Sequence, residues 1–196
     1  MSDKKQIIYK EVLAMLNAGA DYQAITLSEV ANRCGMGKST LYGYFVSKDE
    51  MIFNSILYYI NRMLKFFSQG FKITTFDESI KTYLKALIVT MGANFWIVLP
   101  WTFDSYLKYL SRQDAATLEK LLYKTQKIML ALLSSICAQG QEEGEIGEYE
   151  ENNIRFAYFA IVGELSCKLG DDFDVNSSEG KQFLIELINN LKRHLY

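Results

Sequence analysis

Apolar residues recur along this chain at three- and four-residue intervals, and no segment sustains the alternation of a half-buried strand. The spacing predicts helices throughout. A first helix is expected from about residue 3 to 18, with Ile8, Val12, Met15 and Leu16 as its apolar stripe and Gly19 as its stop. Leu27, Val30, Ala31 and Cys34 form a second stripe that ends at Gly35, and Leu41 and Phe45 mark a short helix from about 37 to 45. Longer helices follow over about 47–68, ended by Gly70, over 76–92, over 101–111 after the single proline, Pro100, and over 114–138. The polar, glycine-rich stretch GQEEGEIGEYEE reads as a loop, and helices over 151–169 and 177–194 flank a second loop, GDDFDVNS. The expected fold class is all-α. An amino-terminal three-helix domain over 1–47 precedes a helical domain over 48–196, with helix 47–68 connecting the two.

Residues 26–50 carry the densest local signals. Thr26 with Glu29, and Ser47 with Glu50, have the spacing of capping boxes, in which side chains satisfy the free backbone donors of a helix start. Between them, the break Cys34-Gly35-Met36-Gly37 is short enough to force a steep crossing of two helices, the helix-turn-helix arrangement. With Leu41 pointing inward, Ser39 and Gly43 lie nearly opposite it, and Lys38, Thr40, Tyr42 and Tyr44 occupy the flanks. That outer face holds hydroxyls, a cation and a bare backbone position, and no acidic residue lies between Gly37 and Ser47. Such groups bond phosphate oxygens and base edges. Lys48, in the first turn of the next helix, opposes the helix dipole, and a nearby phosphate would account for it.

Thr26, Gly35, Lys38, Thr40, Leu41, Tyr42, Tyr44, Phe45, Ser47, Lys48 and Asp49 together resemble the DNA-binding domain of the TetR family (TetR/AcrR-type) of bacterial transcriptional regulators. The resemblance covers residues 7–52. It implies phosphate contacts from Thr26, Tyr42 and Lys48, and groove contacts from Ser28, Lys38, Ser39, Thr40 and Tyr44. Two positions depart from the family pattern: Gly37 replaces the usual serine, and Gly43 replaces a bulky residue between the tyrosines. The family further implies a homodimer on a palindromic operator of double-stranded DNA, acting as a repressor that a small-molecule effector releases.

Charge argues in the other direction. The chain carries 21 basic and 23 acidic side chains, a net charge of −2, whereas nucleic-acid-binding domains are usually basic. The local placement of Lys4, Lys5, Lys10, Arg33, Lys38 and Lys48 at helix ends or on the outer face is the counterweight, and strongly salt-dependent DNA binding is the expectation. Cys34, Cys137 and Cys167 are odd in number and widely spaced, and are expected as reduced, buried side chains. No run approaches the roughly 18 apolar residues of a spanning helix, and MSDKKQ is not a signal sequence, so a cytoplasmic protein without a membrane partner is expected.

In the second half, Ala157, Ala160, Ile161, Glu164 and Cys167 line one face of helix 151–169, and Phe183, Leu184, Leu187, Ile188, Leu191 and Leu195 form a broad stripe on helix 177–194. A stripe this wide can serve a core and a homodimer contact through these two helices, and it also fits an ordinary core. Phe95, Trp96, Trp101, Phe103, Tyr106 and Tyr109, joined by Tyr123, Met129, Phe156 and Phe159, could wall a site for a hydrophobic or aromatic effector, with Glu164 as a counter-charge. They equally describe a helical core. No catalytic constellation, metal cluster or cofactor motif stands out: His194 is the only histidine, and CGMGKST has Asn32 where a phosphate-binding loop needs glycine. No enzyme and no cofactor is expected. The alternative function is a helical ligand- or protein-binding module that does not use DNA.

Overall fold

The computed structural model describes residues 3–20, 22–91, 107–168 and 173–195. Among these, eight helices and no strand are present: α1 Asp3–Asn17, α2 Leu27–Arg33, α3 Lys38–Tyr42, α4 Lys48–Gln69, α5 Phe76–Met91, α6 Arg112–Glu142, α7 Glu151–Lys168 and α8 Ser178–His194. Of the helix expected over 101–111, residues 101–106 lie outside the described residues; among the rest only Leu107 is helical, and residues 108–111 form a turn leading into α6. The chain divides into two compact units, Met1–Met63 with Asn94–Tyr123, and Leu64–Ala93 with Lys124–Tyr196. Both α4 and α6 pass from one unit into the other along the chain.

In the first unit, α1 buries the expected Ile8, Val12, Met15 and Leu16 and adds Tyr9 and Leu13. Leu27, Val30 and Ala31 of α2, Leu41 of α3, and Phe45 complete the small core, to which α4 contributes Met51, Ile52 and Ile56. Gly35 adopts φ +62°, a left-handed conformation that side chains with a Cβ resist, and so turns the chain sharply between α2 and α3. Helix α3 is shorter than its stripe suggested, because the backbone after Tyr42 turns toward α4 while Phe45 still reaches the core.

In the second unit, Ile80, Tyr83, Leu84 and Leu87 of α5 and Met129, Leu133, Ile136 and Cys137 of α6 are buried. The Tyr83 hydroxyl donates to the Met129 carbonyl at 3.0 Å. Helices α7 and α8 pack on each other, and α8 also packs on α5. Helix α6 overruns its expected end at Ala138 by one turn, to Glu142. Gly140 is a close-approach residue here rather than a breaker: a Cβ on it would stand 2.7 Å from Phe76 Cδ2 and 3.0 Å from Ile146 Cδ1. The helix stops at Gly144, φ +75°, and Glu143 beyond its end accepts the Phe76 backbone N–H at 2.9 Å, capping α5. Of the three cysteines only Cys137 is buried, and burial pushes its thiol up to about 12. Cys34 is half-buried and Cys167 exposed, a correction to the expectation for all three; Cys167 sits in the last turn of α7, beyond Leu165, on the side turned from the core.

Candidate nucleic-acid interface

Helix α2 opens as its sequence requires, with the Glu29 N–H donating to Thr26 Oγ1 at 3.1 Å. The Glu29 carboxylate does not complete a reciprocal box; it lies 3.6 Å from Arg33 Nε, one turn along. At the start of α4 the Glu50 N–H donates to Ser47 Oγ at 3.0 Å, and Glu50 Oε2 accepts from Val46 N–H at 2.6 Å. One of these acids, Glu50, thereby holds a helix start, Glu29 pairs with Arg33, and a third, Asp49, accepts the Tyr22 hydroxyl at 2.6 Å. These carboxylates keep their charge, but none of them lies on α3, where Lys38 is exposed.

The outer face of α3 matches its expected composition. Lys38 and Ser39 are exposed, Thr40 and Tyr44 half-buried, and Tyr42 is 53% exposed beside a Leu41 that is fully buried. Lys38 Nζ lies 6.0 Å from the centre of the Tyr42 ring, within cation–π range, so the cation and the phenol stand together. Thr26 is exposed and Ser28 half-buried at the head of α2. Gly37 caps α3 without a side-chain bond, leaving the first amides of that helix unanswered by any side chain of the cap.

Lys48 has an internal partner that the sequence did not announce. Its Nζ donates to the Tyr22 carbonyl at 3.1 Å and lies 4.7 Å from the centre of the Tyr22 ring. Those contacts account for a cation at the positive end of α4 without a phosphate. Lys5 joins the face from α1: its Nζ is 5.9 Å from the Tyr44 ring centre and 5.6 Å from that of Phe45. The signal was present in the spacing, because Lys5 heads the buried stripe Ile8, Tyr9 and Val12, and its stem is carried toward the core.

Residues 13–54 match the family model for bacterial regulatory proteins of the tetR family. The chain carries a TetR-family head. Solved structures extend the likeness in fold from this TetR head to the whole chain. A regulator of the family from Rhodococcus RHA1 is 15% identical, with a TM-score of 0.68 over 100% of this chain and 98% of that one. PfmR from Thermus thermophilus is 18% identical, with a TM-score of 0.64 over 97% of this chain and 98% of that one. FadR from Bacillus subtilis, solved with stearoyl-CoA, is 18% identical, with a TM-score of 0.52 over 97% of each chain. A comparison with curated proteins found no match. The TetR family is one of transcriptional regulators rather than enzymes, and no described helix is long and apolar enough to cross a membrane.

The residues expected around an effector are placed differently from the TetR head. Phe95, Trp96, Trp101, Phe103 and Tyr106 lie outside the described residues. Met129 is buried, with the Tyr158 hydroxyl 3.9 Å from its sulfur. Tyr123, Phe156 and Phe159 are 60%, 69% and 51% exposed, so they present surface in the single chain. On α7 the buried positions Ile154, Tyr158, Ile161 and Leu165 define the inner face, and Phe156 falls on the opposite one. Glu164 is half-buried and accepts from Asn190 Nδ2 through both oxygens at 3.0 Å, a clasp between α7 and α8.

Proposed function

We propose that this protein is a ligand-responsive transcriptional regulator that binds a palindromic operator as a homodimer and acts as a repressor. The observation that carries the reading is the α3 face, where Lys38, Ser39, Thr40, Tyr42 and Tyr44 stand outward over buried Leu41 and Phe45 with no acidic residue among them. We assign the groove contacts to these five and Ser28, and phosphate contacts to Thr26, Tyr42 and the remaining donors of Lys48. Binding to DNA from upstream of the gene, followed by mobility shift over a salt series, tests it. Lys38→Ala is expected to weaken binding several-fold, and Lys48→Ala to lower the slope of log affinity against log salt by about 1, one phosphate contact. Absence of binding at low salt, to that DNA and to a random-site library, would overturn the reading in favour of a helical module that does not use DNA.

Dimerisation is supported by apolar side chains that the single chain leaves in water. Phe156 and Phe159 of α7 and Ile185 of α8 are half or more exposed, on the two helices whose sequence already suggested a partner. A second copy seated on α7 and α8 would cover them, and two heads roughly 34 Å apart would then read successive turns of a palindrome. Replacing Phe156 and Phe159 together by Glu is expected to give a monomer in sedimentation equilibrium and a loss of palindrome binding of at least about tenfold. An unchanged dimer would exclude this face.

The effector we favour is an apolar or aromatic molecule with one polar end. The Tyr59 hydroxyl on α4 is buried and has no hydrogen-bond partner among the described residues, whereas buried polar groups are ordinarily bonded. A ligand that supplies the missing partner would act directly on the helix joining the head to the rest of the chain. The stearoyl-CoA held by the Bacillus subtilis FadR makes acyl compounds a sensible first class to screen.

A further inference from the structure

Tyr22, in the turn between α1 and α2, holds the first turn of α4 from two sides. Its hydroxyl donates to Asp49 Oδ1 at 2.6 Å, and its carbonyl accepts from Lys48 Nζ at 3.1 Å. Burial, together with the Asp49 carboxylate, pushes the phenol well above its usual range, so Tyr22 remains a donor. The face of its ring is covered by a residue from far along the chain: Tyr109 stacks on Tyr22 with centroids 4.3 Å apart and planes 10° from parallel. Tyr109 belongs to the turn that follows Leu107 and leads into α6, within the same compact unit as the head.

We infer that Tyr109 is a positioning residue of the DNA-binding head, acting through Tyr22 on the start of α4 and hence on α3. The chain between α3 and α4 is only Gly43–Ser47, and both of its ends are fixed. Phe45 is packed in the core, and Ser47 and Glu50 tie the backbone to the first turn of α4. The direction of α3 therefore follows that of α4's first turn, and this turn is gripped by a ring that Tyr109 supports. An offset or parallel ring pair contributes beyond its buried area, by an amount equivalent to a few-fold to tenfold in an equilibrium constant. Tyr109 touches neither α3 nor its outer face in any described contact; its influence is on alignment.

This inference rests on the DNA-binding reading, and the experiment separates the two. In the full chain, Tyr109→Ala, Tyr109→Leu and Tyr109→Phe are compared with the unaltered protein for affinity to operator and to non-operator DNA of equal length at one salt concentration. Tyr109→Ala and Tyr109→Leu are expected to lower the operator to non-operator ratio roughly three- to tenfold, while Tyr109→Phe, which keeps the stacked face, restores it. A ratio unchanged in the Ala and Leu variants, or an equal loss on both DNAs, overturns the positioning role, since partial unfolding would reduce both alike. Tyr109→Leu retains apolar bulk and serves should Tyr109→Ala fail to fold. Hydrogen exchange without DNA gives the second readout: amides of α3 and of Lys48–Met51 are expected to exchange several-fold faster in Tyr109→Leu and at the original rate in Tyr109→Phe. Unchanged exchange overturns the inference even if DNA binding itself proves absent; absent DNA binding with altered exchange overturns only the functional reading.

Discussion

Phe45→Ala is expected to unfold the head and abolish operator binding while leaving the second unit helical. Phe45 is 1% exposed and its ring centre lies 6.0 Å from that of Tyr9, so the truncation opens a cavity between α1, α3 and α4. Phe→Ala changes in packed cores cost about 3–5 kcal/mol, a large share of the roughly 5–15 kcal/mol by which domains are stable. The cost falls where it is least affordable, since α3 has five residues and isolated helices need about 12–15 to persist. Circular dichroism is expected to show an early melting transition in the variant. A melt superimposable on that of the unaltered protein would mean that Phe45 does not hold the head together.

Gly180→Ala is expected to be the most damaging single-methyl change in the second unit. A Cβ at this position would stand 2.3 Å from the Asp174 carbonyl oxygen and 2.7 Å from the Val175 carbonyl carbon and Cα. Those are backbone atoms, and the Asp174 carbonyl is already fixed by the Ser177 N–H at 3.1 Å and the Ser177 hydroxyl at 2.7 Å. Ser177 in turn caps α8 by accepting the Gly180 N–H at 2.9 Å, so relieving the overlap means breaking the cap. Overpacking of this kind costs up to about 3 kcal/mol, which for a chain of this size lowers Tm by roughly 6–12 °C. Differential scanning calorimetry reads the shift directly, and a Tm within about 2 °C of the original would show the turn to be freely adjustable. Gly140 offers the contrast, because its near neighbours Phe76 and Ile146 present side-chain ends that can rotate away.

The helices, and the head in particular, were legible because their signals are local. Thr26, Gly35, Ser47 and the stripe Leu27, Val30 and Ala31 act within a few residues of where they stand, and each appears in its expected role. Less was legible where a residue answers to a distant partner. Gly140 looked like a loop residue but is a contact point for Phe76, and α6 runs on through it. Glu164 reads as a candidate counter-charge for an effector, and its two hydrogen bonds from Asn190 of the neighbouring helix have no signal in the spacing. Lys48 has a partner that its place in the first turn of α4 does not indicate, the Tyr22 carbonyl within reach of its ammonium. Tyr109 reads as one of the aromatic residues around an effector, and nothing in the spacing of two aromatic residues so far apart indicates that it stacks on Tyr22.

The division of labour between α3 and the turn that follows it has an evolutionary consequence. Leu41 and Phe45 carry the packing, while Lys38, Ser39 and Tyr42 are exposed and contribute little to it. The letters that would choose a DNA target are thus almost free of the constraints that keep the chain folded. Target preference in such a head can drift, or be rewritten by design, through a handful of outward positions, with Leu41 and Phe45 left untouched as the hinge pins of an otherwise replaceable reading edge.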